Sequence, residues 1–125
     1  DFTATSAMIS TPVLFRGRTA RDIAQLRGVS TALPVAGRQF SRTERLLLRF
    51  DAYGPGGTRP KLSLRLLNRL GESITPLPDP TPAIGSTFEA EVTLGSLPPG
   101  DYLIEIAAAS ASDTATRLVG IRVTG

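Results

Sequence analysis

Leu97-Pro-Pro-Gly-Asp-Tyr-Leu-Ile-Glu-Ile106 is the stretch on which the fold turns. Pro98, Pro99 and Gly100 favour a tight turn and cannot extend a helix. The residues after them alternate, with Tyr102, Ile104, Ile106 and Ala108 on one side of an extended chain. A turn that runs straight into a half-buried strand, with an aromatic at its mouth, points to a β-sandwich.

The same period of two recurs along the chain. In Glu44–Tyr53, Leu46, Leu48, Phe50 and Ala52 share one face, opposite Arg45, Arg49 and Asp51. In Lys61–Asn68, Leu62, Leu64 and Leu66 oppose Ser63 and Arg65. Phe88, Ala90, Val92 and Leu94 alternate with Thr87, Glu89, Glu91 and Thr93, and Val119, Ile121 and Val123 end the series. Shorter strands are expected around Thr5–Ile9, at Pro12–Phe15 and at Glu72–Thr75. Turn signals about every ten residues separate these runs, the spacing of an all-β sandwich. The prediction is one domain over residues 1–125, an immunoglobulin-like antiparallel β-sandwich of seven or eight strands. Tyr102 fits the tyrosine corner of such folds, its hydroxyl returning to the backbone upstream. Ile104, with Leu46 or Leu48 across the core, stands where an antibody domain carries its disulfide.

One helix interrupts the pattern, near residues 19–27. Thr19 and Asp22 have the spacing of a capping box, Ile23 and Leu26 share a face, and Gly28 sits where a C-terminal cap belongs. Two turns are too few to stand alone, so the Ile23/Leu26 edge must dock on the sandwich, closing one open end of the core. Gly54–Pro60 reads as a flexible connector. Pro76, Pro78, Pro80 and Pro82 enforce an extended path between two strands. Ala107–Ser112 leads through small residues to Asp113 and the last hairpin.

Composition removes whole classes of chemistry. At 125 residues with 41% hydrophobic and 20% charged content, the chain is an ordinary globular domain. It has no Cys, no His and one lysine, Lys61. Thiolate nucleophiles, sulfur-ligated zinc and the usual neutral-pH general base are therefore absent. No phosphate-binding loop or nucleophile elbow is present, and no apolar run approaches a membrane span. Neither a signal peptide nor an initiator Met opens the chain, which reads as a segment of a longer polypeptide. No enzyme activity, cofactor or metal site is expected.

Charge is distributed unevenly. Arg16, Arg18, Arg21, Arg27, Arg38, Arg42, Arg45 and Arg49 lie in one segment with only Asp22 and Glu44, leaving it at +6 in a chain of net charge +3. Either these guanidiniums pair with carboxylates on neighbouring strands, or they form a contact face for an acidic partner; Arg16, Arg18, Arg42 and Arg45 are the candidates for such a face. Glu89 and Glu91 stand two apart, about 7 Å by strand geometry, but on what should be a solvated face rather than in a cleft. Nucleic-acid binding lacks a stacking platform, because Phe15, Phe40, Phe50, Phe88 and Tyr102 are claimed by the core and only Phe2 and Tyr53 remain. A carbohydrate-binding module is the alternative to a protein-contact module, poorly equipped without Trp.

The runs Val13-Leu-Phe-Arg-Gly-Arg-Thr-Ala-Arg-Asp22 and Phe40-Ser-Arg-Thr-Glu-Arg-Leu-Leu-Leu-Arg49, with Leu67–Arg69, Leu97–Glu105 and Leu118–Gly120, resemble the C-terminal domain of large bacterial proteins related to von Willebrand factor A. The resemblance covers nearly the whole chain. It implies an exported, secreted, periplasmic or cell-surface location and a non-catalytic module whose partner is another protein or a neighbouring domain. It brings no site residues with it.

Overall fold

The alternating runs become strands with their boundaries nearly as read, in a computed structural model that describes residues 7–27, 37–54, 59–83, 85–110 and 113–125. In chain order the elements are β1 (Met8–Ile9), β2 (Val13–Gly17), α1 (Ala20–Leu26), β3 (Gln39–Ser41), β4 (Arg45–Tyr53), β5 (Lys61–Asn68), β6 (Ser73–Leu77), β7 (Thr81–Pro82), β8 (Thr87–Thr93), β9 (Gly100–Ala109) and β10 (Thr114–Thr124).

Two sheets enclose one core. In the first, β4 is central, flanked on one side by β8 and then β7, and on the other by β1 and β2 end to end. The second runs β3-β10-β9-β5-β6 and is antiparallel except where β3 joins β10 in parallel, Gln39 opposite Arg122. Leu46, Leu48, Phe50 and Ala52 of β4 meet Phe88, Ala90 and Val92 of β8 on the inner face of the first sheet. Leu64, Leu66, Tyr102, Ile104, Ile106, Ala108, Val119, Ile121 and Val123 supply the facing layer. Ile104, Leu46 and Leu48 are fully buried in this core.

The corner forms as read. Tyr102, 8% exposed, donates its hydroxyl to the Pro98 carbonyl at 2.5 Å, and Leu97 N–H closes the preceding turn on the Leu94 carbonyl. The hairpin after β9 closes through Ser110 N–H to the Asp113 carbonyl. Between β5 and β6 the chain reverses at Gly71, whose φ of 85° suits glycine, while Asn68 Oδ1 accepts the N–H groups of Leu70 and Glu72.

Three expectations are corrected. The described residues hold ten strands rather than seven or eight; β3 and β7 have three and two residues, too few to show a period. Pro76 and Pro82 lie inside strands at sheet edges, so the proline segment is partly ladder rather than all linker. The helix does not close an open end of the core. It lies on the outer face of the first sheet, where Ile23 and Leu26 cover Phe15 and Leu47 in a second small core. Leu47 decides this, because an apolar side chain on the polar side of β4 needs a cover. Gly17 permits the approach: a β-carbon there would stand 2.9 Å from Ile23 and 3.0 Å from Asp22. The Gly28 cap, Phe2 and most of the Gly54–Pro60 connector lie outside the described residues.

Candidate functional site

The outer face of the first sheet is committed to internal pairing. Arg49 and Glu89 stand opposite each other in the β4–β8 register, their charges 2.6 Å apart. Arg49 also donates to the Leu26 carbonyl at 2.9 Å and lies 4.4 Å over the Phe15 ring. With Glu89 only 3% exposed, the expectation of a solvated carboxylate is overturned: the Arg49 side chain, itself tied to the end of α1, pairs with it. Glu91 receives Arg45 at 2.7 Å and Arg27 at 4.0 Å. Both carboxylates border a groove of about 360 Å³ with Asp79 and Thr81. Each is engaged by a guanidinium, an arrangement that fixes the orientation of the carboxylate. Removing one partner of the buried Arg49–Glu89 pair costs roughly 3–5 kcal/mol.

The four candidate arginines do not converge. Arg16 lies opposite Leu46, on the core side at the edge of its sheet, where it pairs with Glu44 at 3.2 Å, donates to the Gln39 carbonyl at 2.9 Å and lies 4.8 Å over the Phe40 ring. Arg45 lies on the outer side of the same sheet. Arg42, in the turn before β4, donates to the Gly95 carbonyl at 3.0 Å. Arg18 is exposed in the turn leading to α1. Much of the charge excess of the first third thus serves as cross-strand glue.

The outer face of the second sheet is different. Among the described residues no helix covers it, and Leu118 at 57% and Ile74 at 47% exposure stand on it. Toward one end, Arg38, Arg69, Asp101, Leu103, Gly120 and Arg122 surround a shallow trough of about 300 Å³. Asp101 accepts two hydrogen bonds from Arg122, at 2.8 and 3.2 Å, and this pairing, with the Arg69 charge beside it, holds its carboxyl below the usual carboxylate range. Arg38 and Arg69 are exposed and form no salt bridge among the described residues. Sequence reading passed over this trough because its residues come from β9, β10 and the positions flanking β3 and β5, and only the sheet order joins them. The linear signals are Leu103 and, nearby, Leu118, apolar residues on the wet sides of β9 and β10.

Phe15, Phe40, Phe50, Phe88 and Tyr102 are all buried, and Tyr53 is half-buried. Among the described residues, no group of three or more His, Cys, Asp or Glu comes together to hold a metal ion, and no helix is long and apolar enough to cross a membrane.

No protein-family model matches the chain, and no curated protein matches it. Among solved structures, the endo-β-1,4-mannanase from Thermotoga petrophila is similar, with a TM-score of 0.56 and 13% identity, over 74% of this chain. The alignment spans 18% of the mannanase chain, so the likeness is to a part of that enzyme. At this identity it shows the fold alone: the chain is an all-β sandwich.

Proposed function

We propose that the chain is a non-catalytic, immunoglobulin-like module that makes protein contacts within a larger exported bacterial protein. The observation that carries this reading is the contrast between the two outer faces. The middle of one is covered by α1 and cross-strand ion pairs, with Met8 and Val13 exposed only at its β1–β2 edge; the other leaves Leu118 and Ile74 exposed on a face that also holds a charged trough. Exposed apolar residues rimmed by polar ones mark contact surfaces. The non-catalytic part rests on Glu89 and Glu91, both taken up by arginines. The exported location rests on the resemblance to von Willebrand factor A-related proteins. Hydroxyl-radical footprinting of the chain alone and of the full-length protein tests the reading. Labelling of Leu118 and Ile74 is expected to fall several-fold in the full-length protein, and that of Ile74 to recover there in Leu118→Asp. Equal labelling in both refutes it.

A second reading, a carbohydrate-binding module, draws on the structural likeness to part of a mannanase and on Tyr53, the one described aromatic not fully buried. Retention on a mannan affinity gel, lost in Tyr53→Ala, would favour it over the first; free passage retires it.

A further inference from the structure

We infer that the trough on the outer face of the second sheet binds an extended acidic peptide segment, with one apolar side chain seated over Leu103 and Gly120 and an acidic residue on either side of it. The inference rests on the protein-contact reading and names the chemistry of the partner.

Charge comes first. The residues around the trough include three guanidiniums, on Arg38, Arg69 and Arg122, and one carboxylate, on Asp101. Arg122 is occupied by Asp101, which leaves Arg38 and Arg69 as the two cations available to a ligand. An electropositive rim of this kind favours carboxylates.

Spacing comes next. Arg38 leads into β3, its carbonyl accepting Arg122 N–H, while Arg69 follows the end of β5. The order β3-β10-β9-β5 separates their strands by three ladder steps, about 14 Å at roughly 4.8 Å a step. An extended peptide covers about 13 Å in four residues and turns residues i, i+2 and i+4 to the same side. A segment laid across the strands therefore brings acidic residues i and i+4 to the two arginines and residue i+2 to the middle.

The floor fits an apolar side chain there. Leu103 is half-buried and lies opposite Gly120 in the β9–β10 register. Gly120 has no side chain to fill the space, and a β-carbon added there would meet only Leu103, at 3.8 Å. The one aromatic among the described residues that line the trough, Tyr102, has its ring in the main core and offers no platform for a base to stack on, which favours a peptide over a single-stranded nucleic acid.

The probe is a fluorescein-labelled peptide with the core Glu-Ser-Leu-Ser-Glu, compared by anisotropy with its Lys-Ser-Leu-Ser-Lys counterpart and with an oligothymidylate. The acidic peptide is expected to bind at least tenfold more tightly than the lysine peptide, and more weakly as salt rises. Arg38→Glu with Arg69→Glu should reduce its affinity at least tenfold. Gly120→Leu should do the same by filling the floor, with an unchanged thermal midpoint because the site has room. Equal binding of the two peptides, undiminished binding to the double variant, or preference for the oligonucleotide overturns the inference. If the acidic peptide fails while Leu118→Asp still restores labelling in the full-length protein, the acidic chemistry falls and the contact surface stands.

Discussion

At the scale of single residues, Tyr102 joins a turn to a strand through one hydrogen bond to Pro98, four positions upstream. Its ring belongs to the main core, so the bond fixes how the turn meets that core. Tyr102→Phe keeps the ring and leaves the Pro98 carbonyl without this donor, a loss of about 1–2 kcal/mol. Urea unfolding should show a lower midpoint at unchanged slope; an unchanged midpoint would show that the corner does not stabilise the fold. The corner was legible in the sequence because it is local, its donor and acceptor lying in one short motif. The burial of Glu89 was not. Alternation placed Glu89 and Arg49 correctly on the outer side of the sheet, but what ties Arg49 down comes from α1, and only the sheet register brings the two together.

At the scale of elements, α1 shows how a seven-residue helix persists without intrinsic stability. Ile23 and Leu26 hold it to Phe15 and Leu47, and the capping box holds its first turn: Thr19 Oγ1 accepts Asp22 N–H at 3.1 Å. In return the Asp22 carboxylate accepts the backbone N–H groups of Arg18 and Thr19 at 3.0 and 3.2 Å. The Arg18 bond is the main reason that its carboxyl titrates below the usual carboxylate range. A group depressed in the folded state binds its proton more readily when unfolded, so folding loses its contribution as pH falls. That contribution is whole above roughly pH 4, the unfolded-state value, and disappears as pH falls through the folded value. The stability advantage of the native chain over Asp22→Asn should therefore be larger at pH 7 than at pH 2.5, as read by urea midpoints at both. A constant difference would show that Asp22 titration is not linked to folding. The helix itself was legible from Thr19, Asp22, Ile23 and Leu26. Its docking site was written in Leu47, the middle residue of Leu46-Leu47-Leu48, which alternation assigned to solvent and tertiary packing to a second core.

At the scale of the whole molecule, a sandwich must keep its sheet edges from recruiting other chains. The second sheet ends at β6, where Pro76 lies opposite Arg65 and has no N–H to offer. The first ends at β7, two residues of which Pro82 is one. Pro76→Val restores a donor to a β-favouring strand, and light scattering after size exclusion should show more concentration-dependent association than for the native chain. Equal masses for the two proteins would mean that other features protect this edge. The sheets were legible as alternating runs, but their order was not, since strand pairing is decided by which faces close the core. One pairing has a consequence for how the protein is made. β10, last in chain order, holds β3 in place, completes the ladder with β9 and follows Asp113, whose carboxylate accepts Ala7 N–H near the other end of the chain. A nascent chain emerging from the ribosome carries β4, β5, β8 and β9 into the open with their apolar faces uncovered. Only when β10 follows can the second sheet join β9 to β3, so closure of the sandwich waits for the last of these strands to be made, and until then the earlier strands expose the apolar surface on which aggregation starts.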